Sequence, residues 1–218
     1  MPSTRYQKIN AHHYRHIWVV GDIHGEYQLL QSRLHQLSFF PEIDLLISVG
    51  DNIDRGPESL DVLRLLNQPW FTSVKGNHEA MALEAFETGD GNMWLASGGD
   101  WFFDLNDSEQ QEAIDLLLKF HHLPHIIEIT NDNIKYAIAH ADYPGSEYLF
   151  GKEIAESELL WPVDRVQKSL NGELQQINGA DYFIFGHMMF DNIQTFANQI
   201  YIDTRSPNSG RLSFYKIK

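Results

Sequence analysis

The sequence predicts an α/β fold: two packed β-sheets flanked by helices, with the working loops at the C-terminal ends of the strands. Three observations predict it. Three successive units each pass from a short apolar run through a glycine-bearing polar loop into a helically spaced segment. From Ile126 onward the texture changes to short apolar runs joined by turns, which reads as a second, largely antiparallel sheet packed on the first. Finally, the turn Gly50-Asp51-Asn52-Ile53-Asp54-Arg55-Gly56 places two carboxylates and a guanidinium directly after the apolar run at 45–49, the position where open α/β sheets bind ligands.

Taken in order, Ile17-Trp18-Val19-Val20 predicts a first strand, followed by the loop Gly21-Asp22-Ile23-His24-Gly25 and a helix carrying Leu29, Leu30, Leu34 and Leu37. Residues 45–49 predict the second strand. The helix after its turn has Pro57 at its first position and buries Leu60, Leu63 and Leu66. Residues 71–74, the loop Lys75-Gly76-Asn77-His78-Glu79 and a helix over 80–86 complete the third unit. The Gly-, Asp- and Asn-rich stretch 88–99 predicts an irregular surface loop, and 108–121 a helix capped by Ser108. A hairpin follows over 126–139, turning at Asn131-Asp132-Asn133, with further strands at 182–185, 200–203 and 212–217. The turn-rich stretch 143–179 reads as an insertion near the site. One domain over residues 1–218 is expected.

Composition narrows the function. A formal charge of −14 and the absence of a basic stripe argue against nucleic-acid binding, so a site for an anionic substrate must create its positive spot locally, with a metal as the obvious means. With no cysteine, any metal must be held by Asp, Asn, Glu and the 11 histidines. The early apolar run at 17–20 is too short for a signal core or a membrane span, so the expectation is a cytoplasmic protein without a membrane partner.

Five expected strand ends deliver metal-competent side chains to one edge: Asp22 with His24, Asp51, Asn77 with His78, His140 and His187. Residues two apart in an extended loop point the same way, so Asp22 and His24 can share an ion, and a carboxylate such as Asp51 can bridge two. The reading is a dinuclear site in which Asp22, His24 and Asp51 hold one ion while Asp51, Asn77, His140 and His187 hold the other. Two divalent ions would attract a phosphate, acidify a bound water toward pKa ~7 and direct it at phosphorus in line. Mixed oxygen and nitrogen donors without sulfur suit manganese, iron or zinc, with manganese preferred. Taken singly, each of these residues could be a cap, a turn residue or a buried hydrogen-bonded histidine; the case rests on the ordered set. Trp94, Trp101, Phe102 and Phe103 read as core or loop anchors.

The three motifs Gly21-Asp22-Ile23-His24-Gly25, Gly50 to Gly56 and Gly76-Asn77-His78-Glu79, extended by His140, Trp161 and Gly186-His187, resemble the metal-dependent phosphoprotein phosphatases of the calcineurin-like metallophosphoesterase type, in particular their small bacterial and phage branch. The resemblance covers nearly the whole chain. It implies the metallophosphoesterase sandwich and the six metal ligands just named. It further implies His78 as proton donor to the leaving alkoxide, oriented by Asp54, with Arg55 and Asn77 binding the phosphoryl group. The implied activity is hydrolysis of phosphoserine and phosphothreonine, and by extension phosphotyrosine or phosphohistidine, in a phosphorylated protein substrate, by a chain acting as a monomer. Relatives place an arginine just after the tryptophan of the insertion, whereas here Pro162 follows Trp161, so Arg165 is the candidate to take over that phosphate contact. The pattern also puts glycine where this chain has Arg205. Two other readings stand beside the leading one: hydrolysis of a dinucleoside polyphosphate or cyclic nucleotide, and a metal-binding regulatory module with little or no activity.

Overall fold

The structure is a computed structural model that describes residues 4–218; the first three residues of the expected 1–218 domain lie outside the described residues. Its strands are β1 (Tyr6–Asn10), β2 (Ile17–Val20), β3 (Leu45–Ser48), β4 (Phe71–Ser73), β5 (Ile126–Asn131), β6 (Ile134–Ile138), β7 (Tyr182–Phe185), β8 (Gln194–Phe196), β9 (Gln199–Tyr201) and β10 (Phe214–Lys216). The helices are α1 (Tyr27–Gln36), α2 (Ser59–Arg64), α3 (Asn77–Thr88), α4 (Asn92–Ala96), α5 (Asp107–Leu117), α6 (Ser157–Leu160), α7 (Asp164–Leu170) and α8 (Ser206–Ser209).

The first three units form, but α2 starts at Ser59 rather than at Pro57, and α3 starts at Asn77, inside the expected loop, and runs to Thr88. Strands β2, β3 and β4 pair in parallel, in register Val19 to Ile47 to Thr72. β2 and the first three residues of β3 are continuously apolar because both faces are covered, whereas β4 carries Thr72 and Ser73. One face meets the second sheet through Val19, Ile47, Ile127, Ile129, Ile138, Ile184 and Ile200, which are almost wholly buried. The other packs on α1 and α2 through Val20, Leu46, Leu30, Leu34 and Val62. Each such side chain contributes roughly 1.5–3 kcal/mol on burial, so the inter-sheet layer is the main support for the loops at its edge.

Further expectations are corrected. The stretch 88–99, expected as an irregular loop, contains the short helix α4 at Asn92–Ala96. The second sheet is mixed rather than largely antiparallel: its order is β1-β5-β6-β7-β9-β8, and β1–β5, β6–β7 and β7–β9 are parallel pairs. The run at 212–217 belongs to the first sheet, where β10 pairs antiparallel with β2 and gives the order β10-β2-β3-β4. The helix at 108–121 starts earlier and is capped by Asn106, whose side chain accepts the N–H groups of Ser108 and Glu109 while Glu109 returns the bond. That is a capping box, which outcompetes a lone serine cap.

Candidate metal centre and active site

Loops from both sheets meet at one place. Asp22 and His24 follow β2, Asp51 follows β3, Asn77 and His78 form the first turn of α3 after β4, and His140 and His187 follow β6 and β7. Two groups of ligand atoms result, each within 4.8 Å of one another: His24, Asp51 and His78, and Asp51, His140 and His187. Asp51 belongs to both. Asp22 stands beside them, its carboxylate accepting the His187 backbone N–H at 3.1 and 3.2 Å. Asn77 lies between His140 and His187, its Oδ1 2.7 Å from His140 Nε2 and 3.1 Å from His187 Nδ1.

The backbone is forced to bring these groups together. His24, Asp51, Asp54, Arg55 and His187 all have φ between 46° and 74°, the left-handed region that non-glycine residues avoid. Such strain persists only where the surroundings over-determine it. Here the His24 and Gly25 N–H groups donate to the Asp51 and Asn52 carbonyls, both at 2.9 Å, stitching the first loop to the second. Gly76 is required on the other side, since a Cβ there would run into the Asp51 carboxylate.

The donor set fits divalent cations. His140 Nδ1 donates to the Val49 carbonyl at 2.8 Å and His24 Nδ1 to the Ile53 carbonyl at 3.0 Å, so both Nε2 lone pairs face the cluster. Burial pushes His24 down to about 3 and His187 to about 4, and lowers His140 likewise, leaving neutral imidazoles. Burial would raise Asp51, but His140, His78, His24 and His187 around it hold it well below the usual carboxylate range. Burial, with the Asp203 and Asp51 charges, raises Asp22. In the His140 pair, a lone pair faces the Asn77 carbonyl oxygen at 2.7 Å, an arrangement that a cation between them relieves. Of the six expected ligands, His24, Asp51, His140 and His187 fall into the two groups, while Asp22 and Asn77 stand beside them. His78, expected as a proton donor, takes a place in the first group. These residues could hold two ions.

Beside the cluster, His78 Nδ1 lies 2.6 Å from Asp54 Oδ2, with both side chains buried. Burial alone would lower His78, but the Asp51 and Asp54 carboxylates raise it above its ordinary value. Arg55 is exposed, and its guanidinium reaches His24 Nε2 at 2.8 Å and His78 Nε2 at 2.9 Å. A solvent-facing cation thus caps the opening over the two histidines, where an anion would approach.

Arg165 is not brought to the cluster, contrary to expectation. Helix α7 turns it inward, where Nε donates to Asp142 Oδ1 at 2.9 Å and Nη2 to the Tyr143 and Gly145 carbonyls at 2.9 and 2.7 Å. A buried guanidinium takes the partners that satisfy it, so Arg165 braces the turn after His140 instead of meeting phosphate. Trp161 does lie at the site, its ring edge-on to His187 at 6.4 Å.

Sequence reasoning missed what Glu79 does here. Its carboxylate accepts the backbone N–H groups of Asp51, Asn52 and Gly76, each at 2.8 Å, and so joins the second metal loop to the third. The signal was present, because a glutamate three residues beyond the N-cap Gly76 is placed to accept that residue's own N–H, although glycine has no side chain to return the bond. Asp203 was also missed. It is buried near Asp22, and burial above all raises it to about 6.

A sandwich of mixed sheets with a histidine and aspartate cluster at the strand ends defines a metallophosphoesterase. The chain belongs to the calcineurin-like phosphoesterase family, whose pattern matches residues 15–190, and it is a phosphatase. It is 99% identical over all 218 residues to serine/threonine-protein phosphatase 2 of Escherichia coli strain K12, and 60% identical to the protein of that name from Salmonella typhimurium, each match covering both chains completely. A crystal structure provisionally assigned as a diadenosine tetraphosphatase superposes with a TM-score of 0.73 at 23% identity, covering 98% of this chain and 94% of that one, which shows the shared fold.

Proposed function

We propose that the chain hydrolyses phosphoserine and phosphothreonine monoesters in proteins at a two-metal centre. Asp22, His24 and Asp51 hold one ion, and Asp51, Asn77, His140 and His187 the other. The observation that carries the reading is Asp51: one carboxylate shared by two ligand groups, with a histidine–aspartate pair and an exposed arginine alongside. When bound, the ions supply an acidified water and an electrostatic clamp on phosphoryl oxygens, with manganese the first candidate and iron or zinc the others.

The protein's own groups do the rest. Arg55 swings its two-pronged donor set from the histidines to the phosphoryl oxygens, aided by the Asn77 side chain. Once Arg55 has left it, His78 Nε2 takes up a proton from solvent and, with the Nδ1 proton committed to Asp54, gives it to the leaving alkoxide, a step that general acids accelerate by about 10²–10⁴-fold. A groove lined by Lys75, Met81, Glu84 and Trp161 meets the site at Trp161, whose ring faces His187, and offers room for the chain flanking a phosphorylated side chain. The names of the full-length relatives support the same substrate class. The proposal includes a single catalytic domain acting as a monomer in the cytoplasm. Among the described residues no helix is long and apolar enough to cross a membrane.

Turnover of p-nitrophenyl phosphate, a phosphoserine peptide, a dinucleoside tetraphosphate and a cyclic nucleotide, compared with added manganese, tests the substrate class. The monoesters should be preferred. A higher kcat/KM on either nucleotide contradicts the proposal, and stoichiometric metal binding without turnover of any substrate favours the regulatory-module reading.

A further inference from the structure

Asp54 is wholly buried, yet it is reached by three N–H donors from three different side chains. His78 Nδ1 takes Oδ2 at 2.6 Å. Trp101 Nε1 donates to Oδ1 at 2.8 Å, and Trp94 Nε1 straddles the carboxylate at 3.0 Å from Oδ1 and 3.1 Å from Oδ2. The two indoles stand nearly perpendicular, at 86° with centroids 6.2 Å apart, so their donors arrive from different directions. One donor would leave the carboxylate free to turn about its Cβ–Cγ bond. Two crossed donors fix its plane and leave Oδ2 aimed at the imidazole.

Apolar packing alone does not ask for indoles. Trp94 sits among Phe86 and Phe102, where a phenyl ring would fill the space without an N–H to satisfy. The segment is also built to hold these rings against the site. A Cβ at Gly99 would strike the Trp94 ring, and the Gly98 carbonyl, presented by a backbone with φ of 105°, accepts the Arg55 N–H at 3.2 Å. A single stretch, 94–101, therefore fixes both the Asp54 carboxylate and the Arg55 backbone.

We propose that Trp94 and Trp101 are positioning residues for proton transfer: their paired indole N–H groups lock the Asp54 carboxylate in the orientation that aims His78 Nε2 at the leaving group. The inference rests on the reading of His78 as the proton donor. It adds that the donor's alignment is set by a pair of tryptophans outside the three motifs.

The test is a series of aryl phosphates of rising leaving-group pKa, from dinitrophenyl to phenyl phosphate, assayed with the manganese-loaded enzyme and with Trp94→Phe, Trp101→Phe, the double variant and His78→Asn. A proton donor matters most for poor leaving groups. The double variant should lose about tenfold in kcat on phenyl phosphate and less than about twofold on dinitrophenyl phosphate, with KM and metal content unchanged, parallel to a larger loss in His78→Asn. If a phenylalanine variant fails to fold, benzothienylalanine at the same position, which exchanges N–H for sulfur, repeats the comparison. An equal loss across the series, or none, while His78→Asn keeps its steep dependence, overturns the role of the indoles alone. A flat series in His78→Asn overturns the donor reading and the inference with it.

Discussion

His140 Nε2 stands 3.4 Å from Asp51 Oδ1, an imidazole from the second sheet facing a carboxylate from the first. The relationship exists only because the inter-sheet core aligns the C-terminal ends of β3 and β6. It makes Asp51 the common member of two ligand groups. His78 belongs to the first of them, but its Nδ1 is tied to Asp54, which is in neither group.

Asp51→Asn should therefore lose metal, while His78→Asn should keep nearly all of it and lose about 10²–10⁴-fold in kcat on poor leaving groups. Elemental analysis of both purified variants beside their kinetics checks this. Equal metal loss in the two would contradict the division of roles.

Glu79 predicts a stability effect distinct from catalysis. Removing its carboxylate in Glu79→Ala strands three backbone N–H groups in the interior, and the expected loss is about 3–5 kcal/mol in urea unfolding. A loss below about 1 kcal/mol would mean that the loops are held otherwise.

Arg205 occupies the left-handed region, at φ 60° and ψ 47°, with an exposed side chain. A side chain there costs about 1–2 kcal/mol that glycine avoids. Arg205→Gly should raise the melting temperature by about 2–4 °C, the shift produced by roughly 1 kcal/mol in a chain of this size. A lower melting temperature would show that the arginine makes a compensating contact.

Acid stability should depend on Glu156. His125 Nε2 donates to it at 2.7 Å and Lys75 at 3.3 Å, and against the opposing effect of burial they hold it at about 2 rather than its ordinary 4.5. A depressed folded value means that the contribution is complete above about pH 4.5 and fades as pH falls toward 2. Glu156→Gln should accordingly melt below the wild type at pH 6, with the gap closing between pH 4.5 and 2. A gap that stays constant with pH would assign the effect to packing.

Much of this site was legible because its signals are local. A charged, amide or imidazole residue straight after an apolar run, most often beside glycine, marks a strand end whatever the rest of the chain does. The six metal-ligand candidates and the Asp54-Arg55 turn could therefore be picked out, while the roles of His78, Asp54 and Arg55 came from the resemblance to the family. What escaped depends on distant partners. Strand β1 is a mostly exposed edge strand with only Ile9 and Tyr6 as apolar signals, and it pairs with β5 some 120 residues away. The run at 212–217 carries no mark of which sheet it joins. Arg165 lies four residues after Trp161, but its direction is decided by Asp142 and two carbonyls. Trp94 and Trp101 read as anchors because an indole's packing shows in composition, whereas the aim of its N–H does not.

The central claim is that one carboxylate, Asp51, is shared by two ions. Anomalous scattering at the manganese edge, from crystals grown with that metal, tests it directly. Two peaks about 3.5–4 Å apart on either side of the Asp51 carboxylate are predicted, one toward His24 and Asp22 and one toward Asn77, His140 and His187. A single peak, or peaks away from Asp51, would contradict it.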